Sequence, residues 1–93
     1  MASIWKFKLL WREVQPVLLP SGAKVLTVQF QRDDLCVWAE VDSEATPVQT
    51  FFLIVGTGNP MPDVDMKNFR YLSTVQKDGF VWHVYVEKIE VAA

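Results

Sequence analysis

Residues 24–31 set Leu26, Val28 and Phe30 against Thr27, Gln29 and Gln31. A repeat of two puts successive side chains on opposite faces of an extended strand, so this segment is predicted as β. The same period returns in residues 35–42, where Leu35, Val37, Ala39 and Val41 alternate with Cys36, Trp38 and Glu40. It returns again in residues 80–90, where Phe80, Trp82, Val84 and Val86 oppose Val81, His83 and Tyr85. No window carries the three-to-four spacing of an amphipathic helix, although residues 63–68 have room for one helical turn.

Between these runs stand turn-forming residues. Lys77-Asp78-Gly79 joins residues 69–76 to 80–90, and Asp-Gly is a strong hairpin signal. Arg32-Asp33-Asp34 joins 24–31 to 35–42 as a second hairpin, and Pro20-Ser21-Gly22-Ala23 forms a turn before the first of them. Residues 4–10 alternate Trp5, Phe7 and Leu9 with Lys6 and Lys8, which predicts a half-buried strand. Pro16 suits residues 14–19 to a sheet edge, because proline has no ladder donor. Residues 48–55 contain Phe51-Phe52-Leu53-Ile54-Val55, apolar at both parities, which predicts a central strand covered on both sides. The fold class is therefore all-β: a small antiparallel sandwich or partly closed barrel of six to seven strands, in a single domain over residues 1–93.

With 93 residues, 51% of them hydrophobic and one cysteine, the core must hold without an internal disulfide. Four tryptophans and six phenylalanines supply the apolar area. Part of that surplus is expected to be covered by a second copy, giving a homo-oligomer. Net charge is −2 and the basic residues are scattered, so no basic stripe exists to bind long DNA or RNA. No signal peptide and no apolar run of membrane-spanning length is seen. The reading is a soluble, intracellular protein without a membrane partner.

The long connection over residues 56–68 follows the most apolar strand, and connections of this length in small domains are commonly functional. Gly56, Thr57, Gly58 and Asn59 would cradle a phosphate or carboxylate on backbone N–H groups, with Arg70 or Lys67 supplying charge. The alternative is a tight strand exit stiffened by Pro60 and Pro62. No Walker lysine and no dinucleotide fingerprint accompany the glycines. His83, the only histidine, is either a ligand contact or a strand residue with satisfied hydrogen bonds. One histidine and one cysteine make no zinc set, Asp63 and Asp65 do not continue into a calcium loop, and no serine sits in a nucleophile elbow. No metal, no cofactor and no catalytic residue is therefore assigned. Trp38 and Trp82 form either a stacking platform for a planar base or part of the core.

Five segments in this order resemble a family of small uncharacterised bacteriophage and prophage proteins. They are Ile4-Trp5-Lys6-Phe7, residues 19–29 around Pro20-Ser21-Gly22-Ala23, residues 35–42 around Val37-Trp38-Ala39, Gly56-Thr57-Gly58, and Val81-Trp82-His83-Val84. The resemblance transfers no catalytic or binding residue. It implies a non-enzymatic accessory protein in the cytoplasm of the infected bacterial host. Such a protein would sequester a small anionic, nucleotide-like ligand of immune signalling. The alternatives are a protein-interaction module that inhibits a host defence enzyme, or a minor virion component.

Overall fold

The computed structural model describes residues 1–88 and contains seven strands, all paired antiparallel. In chain order they are β1 (Ala2–Lys8), β2 (Val14–Pro20), β3 (Lys24–Gln31), β4 (Asp34–Asp42), β5 (Pro47–Gly56), β6 (Phe69–Lys77) and β7 (Phe80–Glu87). A single 3-10 turn, Met66–Asn68, precedes β6, with the Asp65 carboxylate accepting from the Lys67 amide as its cap. That turn lies in the window read as able to hold one. The strands form two sheets, β1-β4-β3 and β2-β5-β7-β6, which do not close into a barrel. The described part of the last strand ends at Glu87; residues 89 and 90, included in the expected strand, lie outside the described residues.

The core lies between the two sheets. Val28, Val37, Ala39 and Val41 come from one, and Leu19, Phe52, Ile54, Val84 and Val86 from the other, all nearly or wholly buried. Alternation in β4 and β7 matches the expected faces. β5 is an interior strand of its sheet, and both parities of its second half are buried: Phe52 and Ile54 toward the core, Leu53 and Val55 on the other face. Its position explains the unbroken apolar run.

Three local expectations are corrected. A β-bulge lies between Val25 and Thr27, where the register to β4 slips by one residue. The extra residue reverses the parity, so Leu26 is 41% exposed while Val25 joins Val28 in the core. β1 is not half-buried: it is an edge strand, Ile4 and Trp5 are exposed, and Leu9, beyond its end, is the residue that reaches the core. The β3–β4 turn is shorter than expected, because Asp34 already belongs to β4 and only Arg32 and Asp33 turn the chain. Arg32 adopts φ 57°, and in the β6–β7 turn Asp78 and Gly79 adopt 53° and 83°. Two positive φ values in a two-residue loop are the type I′ signature that Asp-Gly favours.

The two hairpin tips are tied together. Lys77 Nζ donates to the Arg32 carbonyl at 2.7 Å and to the Asp33 carboxylate, and lies 5.2 Å from the Phe30 ring centre. The hydrogen bond and charge of Lys77 hold the Asp33 carboxyl below its ordinary value of 3.8. A lowered folded pKa favours folding while the group is ionised, and that contribution is lost as pH falls through the folded value. Asp33→Asn is therefore expected to flatten the decline of stability below about pH 4, measured by urea unfolding across the acid range. Phe52→Ala, which opens a cavity between the sheets, is expected to cost about 3–5 kcal/mol in the same assay at neutral pH.

Candidate functional site

A groove of about 550 Å³ opens at the end of the molecule where β5 exits. One wall is the segment between β1 and β2, with Trp11, Arg12 and Glu13; the other is Asn59 to Asp63, and Trp82 of β7 lines it as well. Trp11 is 53% exposed and its ring centre lies 4.8 Å from that of Trp82. Phe30 of β3 touches both, at 5.9 Å from each, and Phe80 stacks on Trp82 at 5.7 Å. Four aromatic rings from both sheets and one loop thus close this end of the core, leaving the Trp11 face toward solvent.

Trp11 needs an anchor, because it sits outside any strand. Gln15 supplies it. This side chain is 2% exposed, among the apolar residues of the core face of β2. Its Oε1 accepts from the Leu10 amide at 2.8 Å, and its Nε2 donates to the carbonyls of Leu10 at 2.7 Å and Arg12 at 3.0 Å. A buried amide with three bonds to one loop fixes that loop's path. No buried polar side-chain atom among the described residues is left without a partner.

The opposite wall begins with a tight turn. Gly56 accepts from the Asn59 amide at 3.0 Å, with Gly58 at φ 89°. A side chain at Gly56 would press on Asn59 Nδ2 at 2.8 Å, so glycine there keeps the Asn59 amide against the strand end. The Thr57 amide donates to the Val81 carbonyl at 3.0 Å. Two amides of the expected anion cradle are thus spent inside the protein, and the segment is a closed turn.

His83 lies beside this turn, on the face of β7 opposite Trp82. Its Nε2 is 2.7 Å from Thr57 Oγ1 and its Nδ1 is 3.0 Å from Thr74 Oγ1, which is 2.5 Å from the Tyr71 hydroxyl. Both ring nitrogens therefore hold hydroxyl groups of the fold, and the imidazole acts as a strut between β6, β7 and the turn. It sits in no metal cluster: among the described residues no three metal-ligating side chains converge.

Of the eight residues proposed from sequence, six lie at this end: Gly56, Asn59 and Trp82 line the groove, whereas Thr57, Gly58 and His83 belong to the turn and the face behind it. Two do not. Arg70 pairs with Val86, whereas Gly56 pairs with Trp82, a separation of four residues along β7, or about 13 Å. Its guanidinium donates to the Val25 carbonyl at 3.3 Å and links the sheets there. Trp38 lies in the other sheet, half-buried on the side away from the core, between Lys6 and Thr27. It cannot share a platform with Trp82. Arg12 is the cation that the groove does hold, and among the described residues Arg12, Glu13 and Asp63 enter no ion pair.

Sequence reasoning missed Trp11, Arg12 and Gln15. The available signals were a tryptophan beside Arg12-Glu13 in a short connection and a glutamine at a core-facing parity of an edge strand. Gln15→Leu keeps the bulk but leaves one amide and two carbonyls of the loop without their partner. It is expected to lower stability by about 1–3 kcal/mol and to increase amide exchange at residues 10–12, measured by hydrogen exchange.

No curated protein and no solved structure matches this chain. No helix among the described residues is long and apolar enough to cross a membrane. A family model described as a domain of unknown function, DUF7352, matches residues 1–92, nearly the whole chain. The chain belongs to the DUF7352 family.

Proposed function

We propose that this protein is a non-enzymatic binding protein that holds a small planar, anionic, nucleotide-like ligand in the groove beside Trp11 and Trp82. The observation that carries the reading is the pairing of an exposed, anchored tryptophan with Arg12, which has no ion-pair partner among the described residues, in a groove of about 550 Å³. Ligand pockets of this size are mostly apolar, with a few placed polar groups. Base–aromatic stacking contributes about 1–3 kcal/mol per base. Asn59 offers a donor and an acceptor to a base edge, Glu13 and Asp63 accept from exocyclic amines, and Arg12 meets the phosphate. This reading moves the anion contact from the glycine turn to Arg12, since the turn's amides are engaged.

The two packed sheets serve as a small sandwich that presents this end. The likeness to phage and prophage proteins supports a setting in the cytoplasm of an infected bacterium, where capture of a nucleotide signal would blunt host immunity. A second reading rests on a separate observation: Trp11, Phe80 and Met61 are each about half exposed or more, and aromatic residues, methionine and arginine are enriched at protein interfaces. In that reading the same end docks on a host defence protein.

Calorimetry with a panel of linear and cyclic mono- and dinucleotides separates the two. The first reading predicts saturable binding to at least one member, weakened about tenfold or more by Trp11→Ala or Arg12→Ala, with unchanged circular dichroism. Absence of binding across the panel by the folded protein would overturn it.

A further inference from the structure

Two open sheets leave four edge strands, and three of them are protected. β3 and β6 face each other: Ser73 Oγ donates to the Val28 carbonyl at 3.1 Å and Arg70 to that of Val25, so side chains of β6 satisfy carbonyls of β3. In β2, the Glu13 carbonyl accepts from Ile54 and the Ser21 amide donates to Thr46. Odd-numbered residues therefore bond to β5 and even-numbered ones point outward. Pro16 and Pro20 occupy outward positions, where they remove donors and blunt the edge.

β1 carries two lysines, a charge that commonly blunts an edge, but Lys6 Nζ donates to Gln31 and Lys8 Nζ pairs with Asp34. Among the described residues no proline, bulge or further strand covers this edge. The Leu9 amide donates to Leu35 and the Ser43 amide to Met1, which places odd residues of β1 in the hydrogen-bonded pairs with β4. Ala2, Ile4, Lys6 and Lys8 consequently aim their N–H and C=O groups at the free edge. The strand is regular, without proline or bulge in its pairing, and both Ile4 and Trp5 beside that edge are exposed.

We infer that β1 pairs antiparallel with β1 of a second copy, about a two-fold axis at Trp5. The register follows from the outward groups. Centring on Trp5 opposes Ile4 to Lys6 and Ala2 to Lys8 of the second copy, uses all four outward residues and forms about eight interchain backbone bonds. Centring on Ile4 leaves Lys8 without a partner, and centring on Lys6 sets two lysines face to face, which is unfavourable. The Trp5 register therefore selects a second copy: Lys6 and Lys8 each meet an uncharged residue, and the two tryptophans meet in the closer, non-hydrogen-bonded pair. The product is a continuous six-stranded sheet, β3-β4-β1-β1-β4-β3.

Register-specific cross-linking tests this. In Trp5→Cys the two thiols would stand across the axis with Cα atoms about 4.5 Å apart, within disulfide range. In Phe7→Cys they would be offset by four residues, about 13 Å. The native Cys36 is buried and gives little background. Under mild oxidation Trp5→Cys is expected to form a covalent dimer and Phe7→Cys is not. Sedimentation of the unmodified protein should give twice the chain mass. Ile4→Pro removes an outward donor without touching the β4 ladder and should weaken association about tenfold or more, since one bond is lost per copy. A wild-type monomer at hundreds of micromolar, or equal cross-linking at both positions, would overturn the proposal.

Discussion

Unpaired strand edges are the constraint on which this structure turns. A backbone N–H or C=O at a sheet edge needs water, a side chain or another strand, and two sheets that stay open have four edges to manage. The solutions account for features that otherwise look unrelated. Arg70 and Ser73 reach across the seam to β3 carbonyls. Pro16 and Pro20 sit at the outward parity of β2. Leu26 bulges out of the β3–β4 pairing between Val25, whose carbonyl Arg70 reaches, and Thr27. Among the described residues β1 is the edge that carries neither proline nor bulge, and the proposed pairing with a second copy would satisfy it.

The other end of the molecule shows how the groove is built. The hairpin tips, tied by Lys77, bring Phe30 beside Trp82, and Gln15 holds the preceding loop so that Trp11 covers them. His83 braces the turn that forms the far wall through Thr57. The polar residues that seem most chemical in the sequence are thus supports. The proposed ligand would meet the outer face of Trp11 together with Arg12, Glu13 and Asp63, which enter no ion pair among the described residues.

Much of the fold was legible because alternation is a local property. β3, β4 and β7 were readable from side-chain period, and the Asp-Gly turn from the positive φ it accommodates. The bulge at Leu26 was not, since slipping one residue depends on how β3 meets β6 and not on its own sequence. The exposure of β1 was hidden for the same reason: Trp5 and Phe7 alternate correctly, but the opposite sheet does not cover the strand's end of the layer. At the groove, Gly56, Asn59 and Trp82, named together from the sequence, are neighbours in space. Arg70 and Trp38 were misplaced because strand order and face cannot be deduced from residue type. Gln15 escaped notice since a buried amide is recognised only by the loop it bonds.

If a ligand is recognised at the Trp11–Trp82 end, as proposed, the four indole N–H signals of the labelled protein report on it directly. Titration with a bound nucleotide, followed by two-dimensional NMR, should shift the Trp11 and Trp82 indole signals and the Asn59 side-chain amide. The Trp5 and Trp38 signals should stay in place. Shifts confined to Trp38, or to Arg70 and its neighbours at the opposite end of β6, would place the ligand elsewhere and overturn the proposed site.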